Sequence, residues 1–165
     1  KKYNLKYNSQ FYSQEVVLKK AEVVNDILFL GTDKGRKESL NRLNTEFQTN
    51  GIITNFQIIE KSNQYISYEK YLDLLASSKC ILDYNLEINS PLTLRVMEAL
   101  FLQKKLVTNN LDIINYDFYN ANNIFVIGKD NIEDIKGFID SKYQKINPKI
   151  IEKYDFSKWL SRFGE

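Results

Sequence analysis

The sequence predicts an α/β domain built on a parallel sheet with helices over both faces. Short apolar runs alternate with segments whose apolar residues recur at helical spacing. The runs are apolar on successive residues rather than on every second one, as strands covered on both faces are. The 165 residues, 43% of them hydrophobic, are enough for one domain with a real core. Together these make a Rossmann-like three-layer αβα arrangement the expected fold.

Asp26-Ile27-Leu28-Phe29-Leu30-Gly31 reads as the first strand. Lys34 to Gln48 follows with Leu40, Leu43 and Phe47 at helical spacing, and Asn50-Gly51 stops it as a left-handed cap would. Ile52 to Ile59 is a second strand. Ser67 to Ser77 is a short helix turning Tyr71, Leu72, Leu75 and Ala76 inward. Cys80 to Tyr84 is the third strand. After a polar loop comes a helix start, with Ser90 as N-cap and Pro91 at the first helical position. Thr93 to Gln103 is apolar nearly all round, which predicts a buried helix. Lys105 to Thr108 and Ile124 to Ile127 supply strands four and five, and Ile132 to Tyr143 and Pro148 to Phe163 read as helices. Residues 1–25 stand outside the alternation, with Tyr3, Tyr7, Phe11 and Tyr12 in a polar background. They read as a linker or the remnant of a preceding domain, and 26–165 as the domain itself. The chain starts at Lys1 rather than Met and reads as a piece of a longer protein.

Composition excludes several chemistries. There is no histidine, so a histidine general base, a histidine-bound metal and a Ser-His-Asp triad are all ruled out within this chain. No acid cluster suits a metal, and no cofactor is expected. The net charge of +2 gives no call for nucleic acid as a partner. No apolar run approaches the roughly 20 residues that cross a bilayer, so no transmembrane segment is expected. The single cysteine, Cys80, lies in an apolar strand and reads as a buried structural thiol. With no disulfide framework, the cytoplasm is the expected location, with the inner face of the membrane as a second place within it.

Ligands of parallel α/β sheets sit beyond the carboxyl ends of the strands. The loops that matter therefore follow Leu30, Tyr84, Val107 and Ile127. The first is Thr32-Asp33-Lys34-Gly35-Arg36, behind Gly31. Its glycine spacing fits neither a P-loop nor a dinucleotide fingerprint. Lys34 and Arg36 are suited to a diphosphate; alternatively Thr32 or Asp33 simply caps a helix among solvated charges. The second is the helix start at Ser90, Leu92 and Thr93, where free backbone N–H groups seat a phosphate. Arg95 and Glu98 share one face there, as a ligand-binding pair or as an intrahelical ion pair worth about 0.2–0.5 kcal/mol. Asn109-Asn110 and Asn122-Asn123 are turn formers, and an amide beyond the fourth strand is within range of a base or sugar. A rival layout is that of a phospho-accepting receiver domain, since Asp33, Asp83, Thr108 and Lys129 each follow a strand. Asp83 then either accepts a phosphoryl group or orients its loop by accepting backbone N–H bonds.

Several segments, in order, resemble bacterial capsule and lipopolysaccharide biosynthesis glycosyltransferases with a GT-B type carboxy-terminal half. Tyr7 with Phe11-Tyr12 resembles the family's "KY…FY" lead-in. Phe29 to Arg36 resembles "F-I/L-G-T-D-K-G-R", and Cys80-Ile81-Leu82-Asp83 resembles "S-K-C-I-L-D". Leu92-Thr93-Leu94-Arg95 with Glu98-Ala99-Leu100 resembles "G-L-T-L-R…E-A-L". Lys104 to Asn110 and Tyr116 to Asn120 complete the series, which runs from about residue 3. The resemblance implies a domain that binds a nucleotide-diphosphate sugar through Thr32, Asp33, Lys34, Gly35, Arg36, Ser90, Leu92, Thr93, Arg95 and Glu98, with Glu98 holding the ribose. It assigns no catalytic residue. It also implies a partner, an amino-terminal acceptor-binding domain that this sequence lacks. The family's earlier Glu falls on Ser90, and the Gly of its "G-L-T-L-R" on Pro91. A binding or scaffold module without turnover is the alternative those departures leave open.

Overall fold

A computed structural model describes residues 9–60, 66–87 and 90–162. Tyr3, Tyr7 and Phe163 lie outside them. Five strands, β1 (Asn25–Thr32), β2 (Thr54–Ile59), β3 (Ser78–Asp83), β4 (Lys105–Thr108) and β5 (Ile124–Val126), form one parallel sheet in the order β2-β1-β3-β4-β5. The helices are α1 (Lys37–Thr49), α2 (Tyr68–Ala76), α3 (Leu94–Phe101), α4 (Ile135–Asp140), α5 (Pro148–Tyr154) and α6 (Phe156–Ser161). The fold is a three-layer, Rossmann-like α/β domain, as expected.

The pleat explains the three layers. Successive strand residues point to opposite faces. Ile27, Phe29, Cys80, Leu82, Val107 and Phe125 go one way, onto Leu40, Leu43 and Phe47 of α1 and Ile135 and Ile139 of α4. Leu28, Ile81, Leu106, Ile124 and Val126 go the other way. They meet Leu75 of α2, the Val96–Leu100 stretch of α3 and Tyr154 of α5. Cys80 is fully buried in the first layer, and burial pushes its thiol up to about 12, which makes it a packing residue.

Several boundaries differ from expectation for local reasons. α1 starts at Lys37, because Lys34 (φ 49°) and Gly35 (φ 80°) adopt left-handed backbone that no helix accepts. The chain from Pro148 breaks into two helices at Asp155, whose carboxylate accepts Ser157 N (3.0 Å) and caps α6. α4 stops at Asp140, where Ser141 turns extended, and is entered by a 3₁₀ turn over Ile132–Asp134. A second 3₁₀ turn, Leu111–Asn115, follows β4.

Residues 9–24 contain no helix or strand of their own, yet they are stitched to the domain. Tyr12 N donates to Tyr154 O (3.1 Å), and Phe156 N donates to Tyr12 O (2.9 Å). Tyr12 is buried in the α2/α3 core layer, and Phe11 packs on Phe156 and Trp159. Among the described residues no helix is long and apolar enough to cross a membrane.

Strand order decides where a ligand fits. β1 leads to β2 on one side, and the chain then crosses back to place β3 on the other. The loops after β1 and β3 therefore diverge and leave a crevice at the carboxyl edge.

Candidate functional site

That crevice is a cleft of about 580 Å³, lined by Thr32, Lys34 and Arg36 from the β1 loop, Asn85 to Glu87 and Ser90 from the β3 loop, and Thr93 and Arg95 at the head of α3. Six of the ten sequence-predicted residues thus meet at one place. The other four lie around it. Asp33 caps α1, its Oδ1 accepting Lys37 N at 2.7 Å. Gly35 makes the left-handed turn. Leu92 packs into the core beneath. Glu98 lies in an adjoining cleft of about 320 Å³, with Arg95 on both linings.

Arg36 and Arg95 dominate the site. Arg36 is 6% exposed. Its Nε and Nη2 donate to Thr32 O (3.3 and 3.0 Å), and its Nη1 donates to Tyr84 O, which ties the β1 loop to the end of β3. Arg95 Nη2 donates to Leu30 O at 2.5 Å. Both guanidiniums stand over the Phe29 ring, 5.1 and 5.3 Å from its centroid. Gly31 makes this convergence feasible: a Cβ there would collide with Arg95 Nη2 and come within 3.1 Å of Arg36 Nη2. Burial, and then the adjacent Arg95 charge, pull Arg36 below the ordinary arginine range. Among the described residues neither arginine is in an ion pair. Two partly desolvated like charges side by side favour an anion between them.

The helix head is built differently from expectation. The N-cap of α3 is Thr93, not Ser90, and Pro91 lies before the helix rather than at its first position. Tertiary contacts explain the shift. Thr93 Oγ1 donates to Asp83 Oδ1 (2.8 Å), and Asn110 Nδ2 donates to Ser90 O (2.9 Å), holding Ser90 in the loop. Ser90 Oγ is buried with no hydrogen-bond partner among the described residues. Asp83 is fully buried and accepts from side chains, namely Thr93, Thr108 (3.3 Å) and Asn85 (3.2 Å), rather than from the backbone N–H groups expected of it. Burial outweighs those bonds and the nearby Arg95, and raises Asp83 above the usual carboxylate range. Asn109 acts as a brace, accepting Asn85 N (2.9 Å) and donating to Asn85 O (2.6 Å).

Sequence reasoning missed the tyrosines. Glu98 is 2% exposed and forms no ion pair with Arg95. It accepts instead from Tyr71 OH (2.6 Å) and Tyr68 OH (3.5 Å), and Tyr68 OH also pairs with Tyr12 OH. Burial raises Glu98 above the usual range against the pull of Tyr71, Arg95 and Tyr68. Tyr71 at helical spacing looks like any core residue, and only the facing carboxylate gives it away. No group of acids, cysteines or histidines among the described residues is arranged to hold a metal.

No family model, curated protein or solved structure matches the chain.

Proposed function

We propose that the domain binds a nucleotide-diphosphate sugar and serves as the donor half of a glycosyltransferase that builds a surface polysaccharide, capsule or lipopolysaccharide. The observation that carries the reading is the pair of guanidiniums on Phe29, beside Lys34 in a switch-point cleft and without a carboxylate in ion-pair range among the described residues. A diphosphate matches that charge, and a guanidinium presents two N–H groups in parallel to such oxygens. In the transfer the bond from the sugar's anomeric carbon to the diphosphate oxygen breaks, a bond to the acceptor hydroxyl oxygen forms, and the hydroxyl proton passes to a base of the acceptor-binding domain or to solvent. Negative charge develops on the departing diphosphate. Arg36, Arg95, Lys34 and the first amides of α3 stabilise it where it develops. Glu98, one cleft away across Arg95, is the acceptor for the ribose hydroxyls. An acceptor-binding domain is the partner this reading requires, and it puts the reaction in the cytoplasm at the inner face of the membrane.

Calorimetry and amide-shift mapping with ADP, GDP, CDP, UDP and inorganic pyrophosphate test the proposal. Shifts at Thr32 to Arg36 and Leu92 to Glu98 are expected. Shifts confined to the amino end of the sheet would sink it.

One observation favours a second reading. The strand order β2-β1-β3-β4-β5 is also that of phospho-accepting signalling domains. Asp83 would be the acceptor, but it is fully buried under three side-chain donors, with Lys34 and Arg36 where metal-binding acids belong. Intact mass after incubation with acetyl phosphate and Mg²⁺ separates the readings: a phosphate adduct that vanishes in Asp83→Asn replaces the first with the second.

A further inference from the structure

The cleft beside the arginines is lined by Leu30, Ile66 and Leu94 together with Glu98, Arg95 and two tyrosines. The tyrosines are not equivalent. They sit three residues apart on one face of α2, with ring centroids 5.9 Å apart. Tyr71 is the inner one, half-buried, and its 2.6 Å bond to Glu98 Oε2 has the length of a hydroxyl donating to a carboxylate. Tyr68 is the outer one, 44% exposed at the mouth of the cleft. It reaches Glu98 Oε1 at 3.5 Å, too long for a good bond, and shares its hydroxyl with Tyr12.

A carboxylate offers about four acceptor sites on its two oxygens. Tyr71 holds Oε2 in place, and Oε1 is left with only the weak Tyr68 partner. We infer that Tyr71 is the positioning residue for Glu98 and that Tyr68 is the hydroxyl which a vicinal diol, the ribose of the bound nucleotide, displaces. The inference rests on the donor-binding reading above and adds the residues that prepare its carboxylate. Tyr12 gives the displaced Tyr68 hydroxyl a partner to retain. The groups facing Glu98 are then Tyr68 and Tyr71 from α2, Arg95 from α3, and Tyr12 from the segment before β1. Burial favours the protonated Glu98, and the Tyr71 hydroxyl opposes it. Without that hydroxyl Glu98 takes up its proton at higher pH and accepts one hydrogen bond fewer from the diol.

The experiment is calorimetry on the wild type, Tyr71→Phe, Tyr68→Phe and Glu98→Gln, with ADP, GDP, CDP and UDP against inorganic pyrophosphate, over a pH series. Tyr71→Phe is expected to weaken the nucleotide that binds best by about tenfold, to leave pyrophosphate unchanged, and to move the acid limb of nucleotide binding to higher pH. Tyr68→Phe is expected to tighten nucleotide binding, because the ribose no longer competes with a hydroxyl. Glu98→Gln is expected to erase the part of the acid limb that pyrophosphate, whose oxygens titrate as the nucleotide's do, does not share, and this variant keeps an oxygen for Tyr71 if Tyr71→Phe does not fold. Wild type that binds neither nucleotide nor pyrophosphate overturns the donor reading and this inference with it. Wild type that binds nucleotide while Tyr71→Phe matches it in affinity and pH profile overturns the inference alone. So does weaker binding by Tyr68→Phe, or an acid limb specific to the nucleotide, absent for pyrophosphate, that survives Glu98→Gln.

Discussion

At the amino end of the sheet Asp26, Lys79, Lys136 and Asp140 neutralise one another, whereas at the carboxyl end Arg36, Arg95 and Asp83 do not. Lys79 Nζ lies 2.9 Å from Asp26 and 2.7 Å from Asp140, and Lys136 Nζ lies 2.9 Å from Asp140. Burial alone would raise Asp26, but the Ile53 amide and the Lys79 ammonium bring it below the usual carboxylate range. Lys79 rises through its bonds to Asp140 and Asp26. At the opposite edge Arg36 is lowered, and Asp83 and Glu98 are raised. Acids and cations on β1, β3 and their flanking segments make a closed ionic clasp at one end and an open cationic seat at the other. Perturbation of this second kind is what binding sites require and stability does not.

Arg95→Met is the substitution that separates the two ends most. It removes half of the seat and should weaken pyrophosphate binding roughly 10- to 100-fold, the cost of losing bonds to a charged partner. It also relieves the repulsion on Arg36, so its melting temperature should fall less than that of Asp26→Asn. A large loss of stability with unchanged affinity would break the comparison. Asp26→Asn is the reciprocal change. It should destabilise by about 1–3 kcal/mol in urea unfolding, because Asp26 is buried and accepts Ile53 N as well as the ammonium. Pyrophosphate affinity should stay as it was.

Acid gives the smallest effect and the sharpest sign. Glu98 and Asp83 have raised folded values, so the stability they contribute is present below the unfolded carboxylate range, about 4, and is lost as pH rises through those raised values. Asp26 has a lowered value, so its contribution is present above that range and is lost as pH falls through the lowered value. Urea melts should therefore show stability rising as pH drops toward about 4–5 and falling beyond it. Glu98→Gln should flatten the rise and spare the fall.

Much of this was legible in the sequence because parallel sheets are informative. Apolar runs such as Asp26 to Gly31 have no other home, and parallel topology sends function to the loops that follow them. Thr32, Lys34, Arg36, Thr93 and Arg95, named on that ground, line one cleft. What stayed hidden is tertiary. Ser90 before Pro91 carries the better local cap signal, yet Asp83 reaches across from β3 to fix Thr93 instead. Tyr71 and Leu75 share one helical spacing, and nothing local says that one faces a carboxylate and the other only core. Phe11 and Tyr12 in a polar stretch look unattached until α5 and α6, more than 130 residues later, return to meet them.

That return has a kinetic consequence. The bond from Trp159 Nε1 to Ser9 O (2.5 Å) joins residues 150 positions apart. Such a contact forms only after nearly the whole chain has been drawn in, and its loop-closure cost falls late in folding. The stretch around Tyr12 and the α5–α6 pair are therefore bound to open and close as one unit, and local opening of that unit takes Tyr12 away from Tyr68. The last part of the chain to dock is thus wired, through the Tyr12 hydroxyl, to the mouth of the cleft.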